Sequence, residues 1–150
     1  MDEQLRKKIL ALLSQHRIMT IATLRPDGWP QATTVGYVSE GLTLYFLCGL
    51  DSQKATNLAR DDRVSLTIDH DTTQIMEITG LSMAARAQPV VDRAEADRVL
   101  QMLPLKYPEQ VSLPVPMPTP DQVRIFRVTP TVISVLDYSK GFGHTDLVAC

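Results

Sequence analysis

The chain has 150 residues, 44% of them hydrophobic, and a formal net charge of −2 at pH 7. This length can bury the core of one domain, so we expect residues 1–150 to form a single domain that needs neither disulfides nor a structural metal. Acidic and basic residues are interspersed along the chain, which argues against a nucleic-acid-binding protein.

The cysteines and the apolar runs predict a cytoplasmic protein with no membrane partner. Cys48 lies in an apolar run and Cys150 is the last residue, so neither has the spacing of a zinc ligand and both are expected to be reduced thiols. Asp2 and Glu3 precede the first basic residues, and the apolar core 9–13 is too short for a signal peptide. No run is long enough for a transmembrane helix.

The first sixty residues predict a helix, three antiparallel strands and a second helix. Leu5, Ile9, Leu12 and Leu13 fall at helical spacing. The segment 25–28, with proline second and glycine last, is typical of a hairpin turn. The predicted elements are a helix over 3–15, strands over 17–24, 29–38 and 42–49, and a helix over 52–60.

The rest of the chain predicts three more strands and a third helix. Asp92 and Glu95 form a capping box, and Gly80 is expected to kink a long strand. Thr129-Pro130 interrupts the last strand and requires a β-bulge or an edge position, because proline lacks a backbone donor. The predicted elements are strands over 63–69, 75–90 and 122–137 and a helix from 92 to about 103.

Two segments are predicted to lack regular structure. The stretch 104–120 is rich in proline and is expected to be an extended surface segment. The prolines that support this prediction include Pro104, Pro108, Pro114, Pro116 and Pro118. The tail from Tyr138, with Gly141 and Gly143, is expected to wrap over the surface. Together the elements predict a mainly β (α+β) fold, a Greek-key-type β-barrel of six strands with peripheral helices.

The stretch 51–58 opens a predicted helix directly after the apolar strand, and it has the character of a phosphate site. The first N–H groups of a helix lack intrahelical partners and carry partial positive charge, so they attract anions. Ser52 adds a hydroxyl donor and Lys54 a full positive charge. The alternative is that Asp51 or Ser52 is only an N-cap and that Lys54 is solvated.

Four segments, taken in order, resemble the pyridoxamine 5′-phosphate oxidase-like family of flavin-binding split barrels. They are 28–35 (GWPQATTV), 44–46 (LYF), 52–58 (SQKATNL) and 62–66 (DRVSL). The resemblance covers roughly residues 10–90. It implies a six-stranded split β-barrel, a homodimer, and FMN bound at the subunit interface.

The resemblance also implies a set of cofactor-binding positions. The family's phosphate-binding serine and lysine fall on Ser52 and Lys54, with Gln53 where an arginine often stands. The strand whose backbone faces the flavin ring matches Thr33, Thr34 and Val35. The segment near the ribityl chain and ring edge matches Leu47 and Cys48. An exposed strand can offer peptide N–H and C=O groups to the rim of a flat ring without a charged side chain.

The chain departs from the family pattern at several positions. Thr33 and Gln53 both stand where the oxidases tend to have arginine, so charges that would neutralise a phosphate are missing. The oxidases' C-terminal motif rich in tryptophan and arginine is absent, since the one tryptophan here is Trp29, and oxidation of pyridoxamine phosphate is not expected. Three arginines could replace the missing charge: Arg17, Arg60 and Arg63.

The predicted function is that of an FMN flavoprotein which transfers hydride or electrons from a nicotinamide cofactor to a small-molecule acceptor. The flavin performs the chemistry, so no catalytic residue is assigned. Two alternatives are an F420-dependent reductase and a non-catalytic module that binds flavin or haem, for which His144 is the candidate axial ligand. No metal site is predicted at 69–71, where a second His or Cys is missing, and no dinucleotide site at 141–143, where a third glycine is missing.

Overall fold

The computed structural model describes residues 1–112, 114 and 116–150. The α-helices are α1 (Glu3–Gln15), α2 (Gln53–Arg60) and α3 (Arg93–Lys106). The strands are β1 (Ile18–Leu24), β2 (Pro30–Gly36), β3 (Val38–Glu40), β4 (Thr43–Gly49), β5 (Arg63–Asp69), β6 (Thr79–Pro89), β7 (Val123–Asp137) and β8 (Thr145–Ala149). Short 3₁₀-helices cover Ile75–Glu77, Pro108–Ser112 and Tyr138–Lys140. Among the described helices, none has both the length and the hydropathy needed to cross a membrane.

The eight strands belong to one antiparallel sheet that curls on itself. The order along the sheet is β2-β1-β5-β6-β7-β4-β3, and β8 pairs with the C-terminal half of β7. The first and last strands of this path, β2 and β3, are separated in sequence only by Tyr37. One short piece of chain therefore forms both ends of the sheet and turns it into a split barrel.

Tyr107, at the end of α3, holds the bend between β2 and β3. Its hydroxyl accepts a hydrogen bond from the backbone N–H of Tyr37 at 2.8 Å and contacts the carbonyl of Arg17. A Cβ atom on Gly36 would lie 2.9 Å from the same hydroxyl, so a side chain at this position would push Tyr107 out of these hydrogen bonds. The Tyr37 side chain is fully buried and donates to the Leu13 carbonyl at 2.7 Å, which ties the bend to α1 as well.

Two apolar clusters hold the layers together. The larger cluster fills the barrel interior, where Phe46 and Ile133 of the sheet meet Ile9 of α1 and Leu58 of α2. The smaller cluster lies on the outer face of β3, β4 and β7 and is covered by α3, with Val99 fully buried. Helices α1 and α2 thus complete the interior, whereas α3 covers one outer side.

An ion pair under α3 fixes that helix to the sheet. The guanidinium of Arg127 on β7 donates to Glu95 through Nε (2.8 Å) and Nη2 (2.6 Å), and the Tyr45 hydroxyl donates to the same carboxylate at 2.8 Å. The Glu95 side chain is only 13% exposed. The hydrogen bonds from Arg127 lower the pKa of Glu95 to about 2, although burial acts in the opposite direction.

The structure confirms the predicted fold class and most of the elements. Helix α1 spans the predicted residues, and β1, β2, β4 and α2 begin and end within about two residues of the predicted bounds. The bulge predicted at Thr129-Pro130 is also confirmed, because the β6–β7 register shifts there and leaves Thr131 without a partner on β6.

Two predicted boundaries were wrong. The strand expected from residue 75 begins at Thr79, because neither neighbouring strand extends further. The last residue of β5, Asp69, pairs with Gly80, and the last residue of β7, Asp137, pairs with Thr79. Helix α3 was expected to stop near residue 103 but continues through Pro104 to Lys106. A proline this close to a helix end removes one hydrogen bond, and the last turn is still closed by the Tyr107 N–H on the Leu103 carbonyl at 2.8 Å.

The proline-rich segment and the tail contain more regular structure than predicted. Residues 108–112 form a 3₁₀-helix, and 116–119 lack regular structure as expected; Leu113 and Val115 of this segment lie outside the described residues. The tail forms β8, in which Val148 is buried against β7. The predicted strand 29–38 is also divided at Tyr37: β2 ends at Gly36, and Val38–Glu40 form a separate strand, β3, which pairs with β4. With β3 and β8, the described sheet has eight strands instead of six.

Replacing Glu95 tests the attachment of α3. We expect Glu95→Gln to lower the free energy of unfolding at pH 7 by about 1–3 kcal/mol, because Arg127 loses its charged partner. The pKa of Glu95 is lower in the folded state, so its stabilisation is complete above the unfolded value of 4.5 and is lost as the pH falls towards 2. Urea unfolding between pH 2 and 7 measures both effects.

The matched control is Asp97→Asn, which removes the exposed partner of Arg93 and should change the free energy of unfolding by less than about 0.5 kcal/mol. Some acid sensitivity will persist in Glu95→Gln, because hydrogen bonds from Lys8 and Ser139 also lower the pKa of Asp137 to about 2. A Glu95→Gln protein with wild-type stability throughout this pH range would contradict the assigned role.

Candidate functional site

The split in the barrel lies between β2 and the second half of β4. These two strands lie side by side. Among the described strands, however, β2 forms a ladder with β1 alone, and β4 pairs with β3 only through residues 43–45. One backbone edge of β2 and one edge of residues 46–49 therefore face the gap. Helix α2 begins four residues after β4 ends, at the mouth of this gap.

Lys54 and Thr33, two of the predicted cofactor-binding residues, meet across the mouth of the gap. The ammonium Nζ of Lys54 donates to the Thr33 hydroxyl at 2.5 Å. Both side chains are partly buried, and in the described part of the chain Lys54 forms no salt bridge with a carboxylate. The structure thus places an uncompensated positive charge between β2 and the start of α2.

The start of α2 offers further donors next to this charge. Ser52 is the N-cap, and its hydroxyl oxygen accepts a hydrogen bond from the Ala55 N–H at 3.1 Å. The cap uses only a lone pair of the Ser52 oxygen, and the hydroxyl also lies beside the Cys48 thiol. Its proton can therefore donate either to that sulfur or to a ligand. The backbone N–H groups of Gln53 and Lys54 have no acceptor among the described residues.

A buried amide fixes the position of α2 relative to β1. Asn57 is completely buried and donates through Nδ2 to the Thr23 hydroxyl at 3.0 Å. Its Oδ1 accepts a hydrogen bond from the Gln53 side chain at 2.8 Å. Gln53 therefore occupies the family's arginine position without pointing a charge into the gap, and its amide serves to orient Asn57.

Cys48 and Leu47 were predicted as a pair, but they lie on opposite faces of β4. Cys48 packs against the interior cluster, whereas Leu47 packs against the cluster under α3. Burial raises the pKa of the Cys48 thiol, and this effect exceeds the opposing influence of Ser52, Lys54 and Arg124. The thiol is consequently protonated at neutral pH and serves as an apolar wall of the gap.

Sequence reasoning missed Arg124, a second positive charge near Cys48. Arg124 lies directly opposite Cys48 in the β4–β7 ladder, and its positive charge acts to lower the pKa of the Cys48 thiol. It also lines a cavity of about 420 Å³ together with Asp51 and Ala55 of the α2 region. An isolated arginine in a distant strand gave no local signal, since its proximity depends on the β4–β7 register.

The residues of β2 alternate between the two faces of the sheet. Thr33 and Val35 are half-buried, whereas Thr34 between them is exposed. Only the first two can present side chains towards the gap, so Thr34 can contribute there only through its backbone.

The arginines that were expected to replace missing charge are engaged elsewhere. Arg63 donates to Asp61 through Nε (3.0 Å) and Nη2 (2.8 Å), and Arg60 donates to the Leu24 carbonyl at 2.7 Å. Arg17 donates to the carbonyl of Lys106 at the end of α3. Among the described residues, none of the three forms a hydrogen bond with Thr33 or an ion pair near Lys54.

The remaining predicted features do not assemble into a second chemical site near the gap. Within the described residues, no three His, Cys, Asp or Glu side chains are grouped so as to hold a metal ion. His144 lies between β7 and β8, and its Nε2 is 3.1 Å from a carboxylate oxygen of Asp146. Gly143 adopts a positive φ of 74° in the same connection, which is the turn of a hairpin.

The comparison with family models assigns the chain to a family. Residues 5–137 match the model of the pyridoxamine 5′-phosphate oxidase family. This match covers most of the chain, and the protein therefore belongs to that family. No protein of curated function matches the chain in sequence.

Solved structures show the same split-barrel fold at low sequence identity. A Listeria innocua protein described as a candidate pyridoxamine 5′-phosphate oxidase has 22% identity and a TM-score of 0.73, over 89% of this chain and 98% of that one. HutZ, the haem storage protein of Vibrio cholerae, has 18% identity and a TM-score of 0.67, over 97% and 94%. A haem-binding protein of Mycobacterium smegmatis has 18% identity and a TM-score of 0.71, over 96% and 56%.

Replacing the buried Asn57 tests whether its amide anchors α2 to β1. Asn57→Ala and Gln53→Ala both remove the hydrogen bond between these two side chains, but only Asn57→Ala also leaves the Thr23 hydroxyl unpaired and opens a cavity. We expect a loss of about 2–4 kcal/mol in the free energy of unfolding for Asn57→Ala. The exposed Gln53→Ala should lose less than about 1 kcal/mol. Equal losses in chemical denaturation would show that Asn57 does not anchor α2.

Proposed function

We propose that the protein is an FMN-binding oxidoreductase whose cofactor phosphate is held by Lys54 and the start of α2. The observation that carries this proposal is the contact of Lys54 Nζ with Thr33 at the mouth of the split, beside two backbone N–H groups that have no acceptor within the described part of the chain. When bound, the flavin supplies the capacity to accept a hydride and pass on its electrons.

The donor set suits a phosphate monoester. A dianion at the mouth of the gap could take the Lys54 ammonium, the free N–H groups of Gln53 and Lys54, and the Ser52 hydroxyl as donors. The field at a helix start favours the same charge. Thr33 can then accept or donate as the ligand requires, because a hydroxyl does both. No carboxylate has to be displaced from Lys54, which lowers the cost of binding.

The gap offers the flat ring both apolar and polar surfaces. Cys48 and Val35 are partly buried apolar walls, and the backbone edges of β2 and β4 offer N–H and C=O groups. These groups can bind and orient a ring without any charged side chain. We assign no proton-transferring side chain, since none of the described contacts places an acid or base at the gap.

We further propose that the site is completed by a second copy of the chain. On the outer face of the sheet, residues that pair between neighbouring strands form two rows, and each row crosses six strands. Neither row contains a charged residue. We call this surface the uncharged sheet face; its residues are Thr34, Thr20, Thr67, Ser82, Ser134 and Leu147 in one row, and Ala32, Ala22, Ser65, Ala84, Val132 and Ala149 in the other. All twelve are exposed or half-buried. Depletion of charge on a broad exposed surface is typical of the centre of a protein interface.

The uncharged sheet face is continuous with the proposed cofactor site. Its Thr34 and Ala32 lie on β2, the strand that also carries Thr33 on the other face. A partner seated on this surface would cover the open side of the gap. A ring-sized ligand is usually buried over most of its surface, which one copy of this shallow gap does not achieve.

Replacement of Lys54 tests the phosphate site. After removal of any bound cofactor, we expect FMN to bind Lys54→Ala about ten- to a hundredfold more weakly than wild type, because one charge-assisted bond is worth about 1.5–3 kcal/mol. Flavin fluorescence quenching gives the dissociation constants. The control Lys7→Ala removes an exposed lysine of α1 and should bind FMN as wild type does. Unchanged FMN affinity in Lys54→Ala would refute the assignment.

The visible spectrum of the purified protein separates the cofactors. We expect the two-banded spectrum of oxidised flavin, followed by bleaching on addition of NADH or NADPH. The single band of the deazaflavin F420 would indicate the related reductase, and a Soret band would indicate a haem module such as the Vibrio and Mycobacterium relatives suggest. Protein that stays colourless after incubation with FMN would contradict the proposal.

Introducing a charged residue into the uncharged sheet face tests the dimer independently of cofactor binding. We expect wild type to have twice the 16.7 kDa mass of one chain in light scattering, and Ala84→Glu to shift it to the single-chain mass, because a buried unpaired carboxylate is costly. Ala94→Glu makes the same change on the exposed surface of α3 and should leave the dimer intact. A monomeric wild type, or a dimeric Ala84→Glu, would contradict this interface.

A further inference from the structure

A second cavity shares none of its lining residues with the gap at Lys54. It is bounded by the C-terminal halves of α1 and α3 and by the turn between β3 and β4. Its volume is about 470 Å³, which lies within the range of small-molecule sites. Its lining includes Leu10, Leu13, Arg17, Val38, Leu105 and Lys106.

Two cations line this cavity. The Lys106 ammonium donates to the Leu13 carbonyl at 2.7 Å and lies 4.2 Å from the centre of the Tyr37 ring. The Arg17 guanidinium donates through Nε to the Lys106 carbonyl at 3.3 Å. Burial lowers the pKa of Lys106 to about 8, and the neighbouring charge of Arg17 adds to the effect.

No carboxylate forms an ion pair with these cations in the described part of the chain, although Glu109 lines a neighbouring cavity together with Arg17. Neither Arg17 nor Lys106 forms a salt bridge with a described residue, and the lining residues of the cavity include no Asp or Glu. Within the described residues, both side chains donate to backbone carbonyls alone. Arg17 retains four further N–H donors and Lys106 two, so both can bind an additional acceptor.

The remaining walls of the cavity are largely apolar. Leu10 and Leu13 come from α1, Val38 from β3, and Leu105 from α3. Leu105 is 83% exposed, and a ligand that rests on it would remove this apolar surface from water. The cavity therefore combines two cations with an apolar lining, which suits a ligand with an anionic end and an apolar body.

We propose that this cavity binds a small amphipathic organic anion, whose carboxylate or phosphate pairs with Arg17 and Lys106 while its apolar body packs on Leu10, Val38 and Leu105. The planar guanidinium of Arg17 can bind two oxygens of either acid group at once. The bound anion would supply the negative charge that the fold itself does not place beside these cations.

The test uses full-length protein and the fluorescent probe 8-anilinonaphthalene-1-sulfonate, with benzoate and phenyl phosphate as competitors. We expect one saturable probe site per chain, displaced by at least one competitor; the competitor that displaces it better identifies the preferred acid group. Arg17→Gln and Lys106→Met should each weaken binding by about tenfold or more, because each removes a charge-assisted contact. Lys140→Gln, an exposed control, should bind as wild type does.

Leu105→Asp provides a second variant at an exposed position, where misfolding is not expected and circular dichroism can verify the fold. Its carboxylate would satisfy the cations internally and should abolish probe binding. Lys54→Ala should leave probe binding unchanged. The proposal is overturned if wild type shows no saturable binding, as expected if Arg17 and Lys106 only cap the ends of α1 and α3. It is also overturned if the cavity variants bind normally or if Lys54→Ala is the variant that loses the probe.

Discussion

The fold depends on one constraint, namely that the chain from β2 to β3 forms both edges of a curled sheet. Gly36 makes this possible because the Tyr107 hydroxyl occupies the space that a side chain would need. β3 pairs with β4 through only three residues, and no other described strand forms a ladder on the outer edge of β2, so the barrel remains split. The unpaired backbone edges, the start of α2 and the Lys54 side chain meet in that gap as a direct result.

The charge in the gap comes from few groups, and their placement depends on buried contacts. Asn57 ties α2 to β1, and α2 in turn places Lys54 beside Thr33. Where the family often has arginine, this chain has neutral residues, so a bound phosphate would depend strongly on one ammonium and on backbone donors. Arg124 pairs with Cys48 in the β4–β7 ladder and adds positive potential there, and it forms no salt bridge with any described residue. Such a site favours an anion through its field more than through a dense set of ionic bonds.

The sequence predicted local features better than those that depend on strand pairing. Helix α1, the capping of α2 by Ser52 and the bulge beside Pro130 follow from local rules, and all three are present. The short strand β8 was missed because its stability comes from pairing with β7. The proximity of Arg124 to Cys48 and the contact of Lys54 with Thr33 depend on register and on the closure of the sheet, so periodicity and propensity contain no information about them.

We propose that the gap recognises a phosphate and not only a flat ring. This proposal is tested most directly by the ratio of two dissociation constants measured on the cofactor-free wild-type protein, those of riboflavin and FMN, which differ only in the phosphate. If Lys54 and the start of α2 bind the phosphate, FMN should bind at least about tenfold more tightly, with the difference decreasing as the salt concentration rises. Equal dissociation constants for the two flavins would contradict the account.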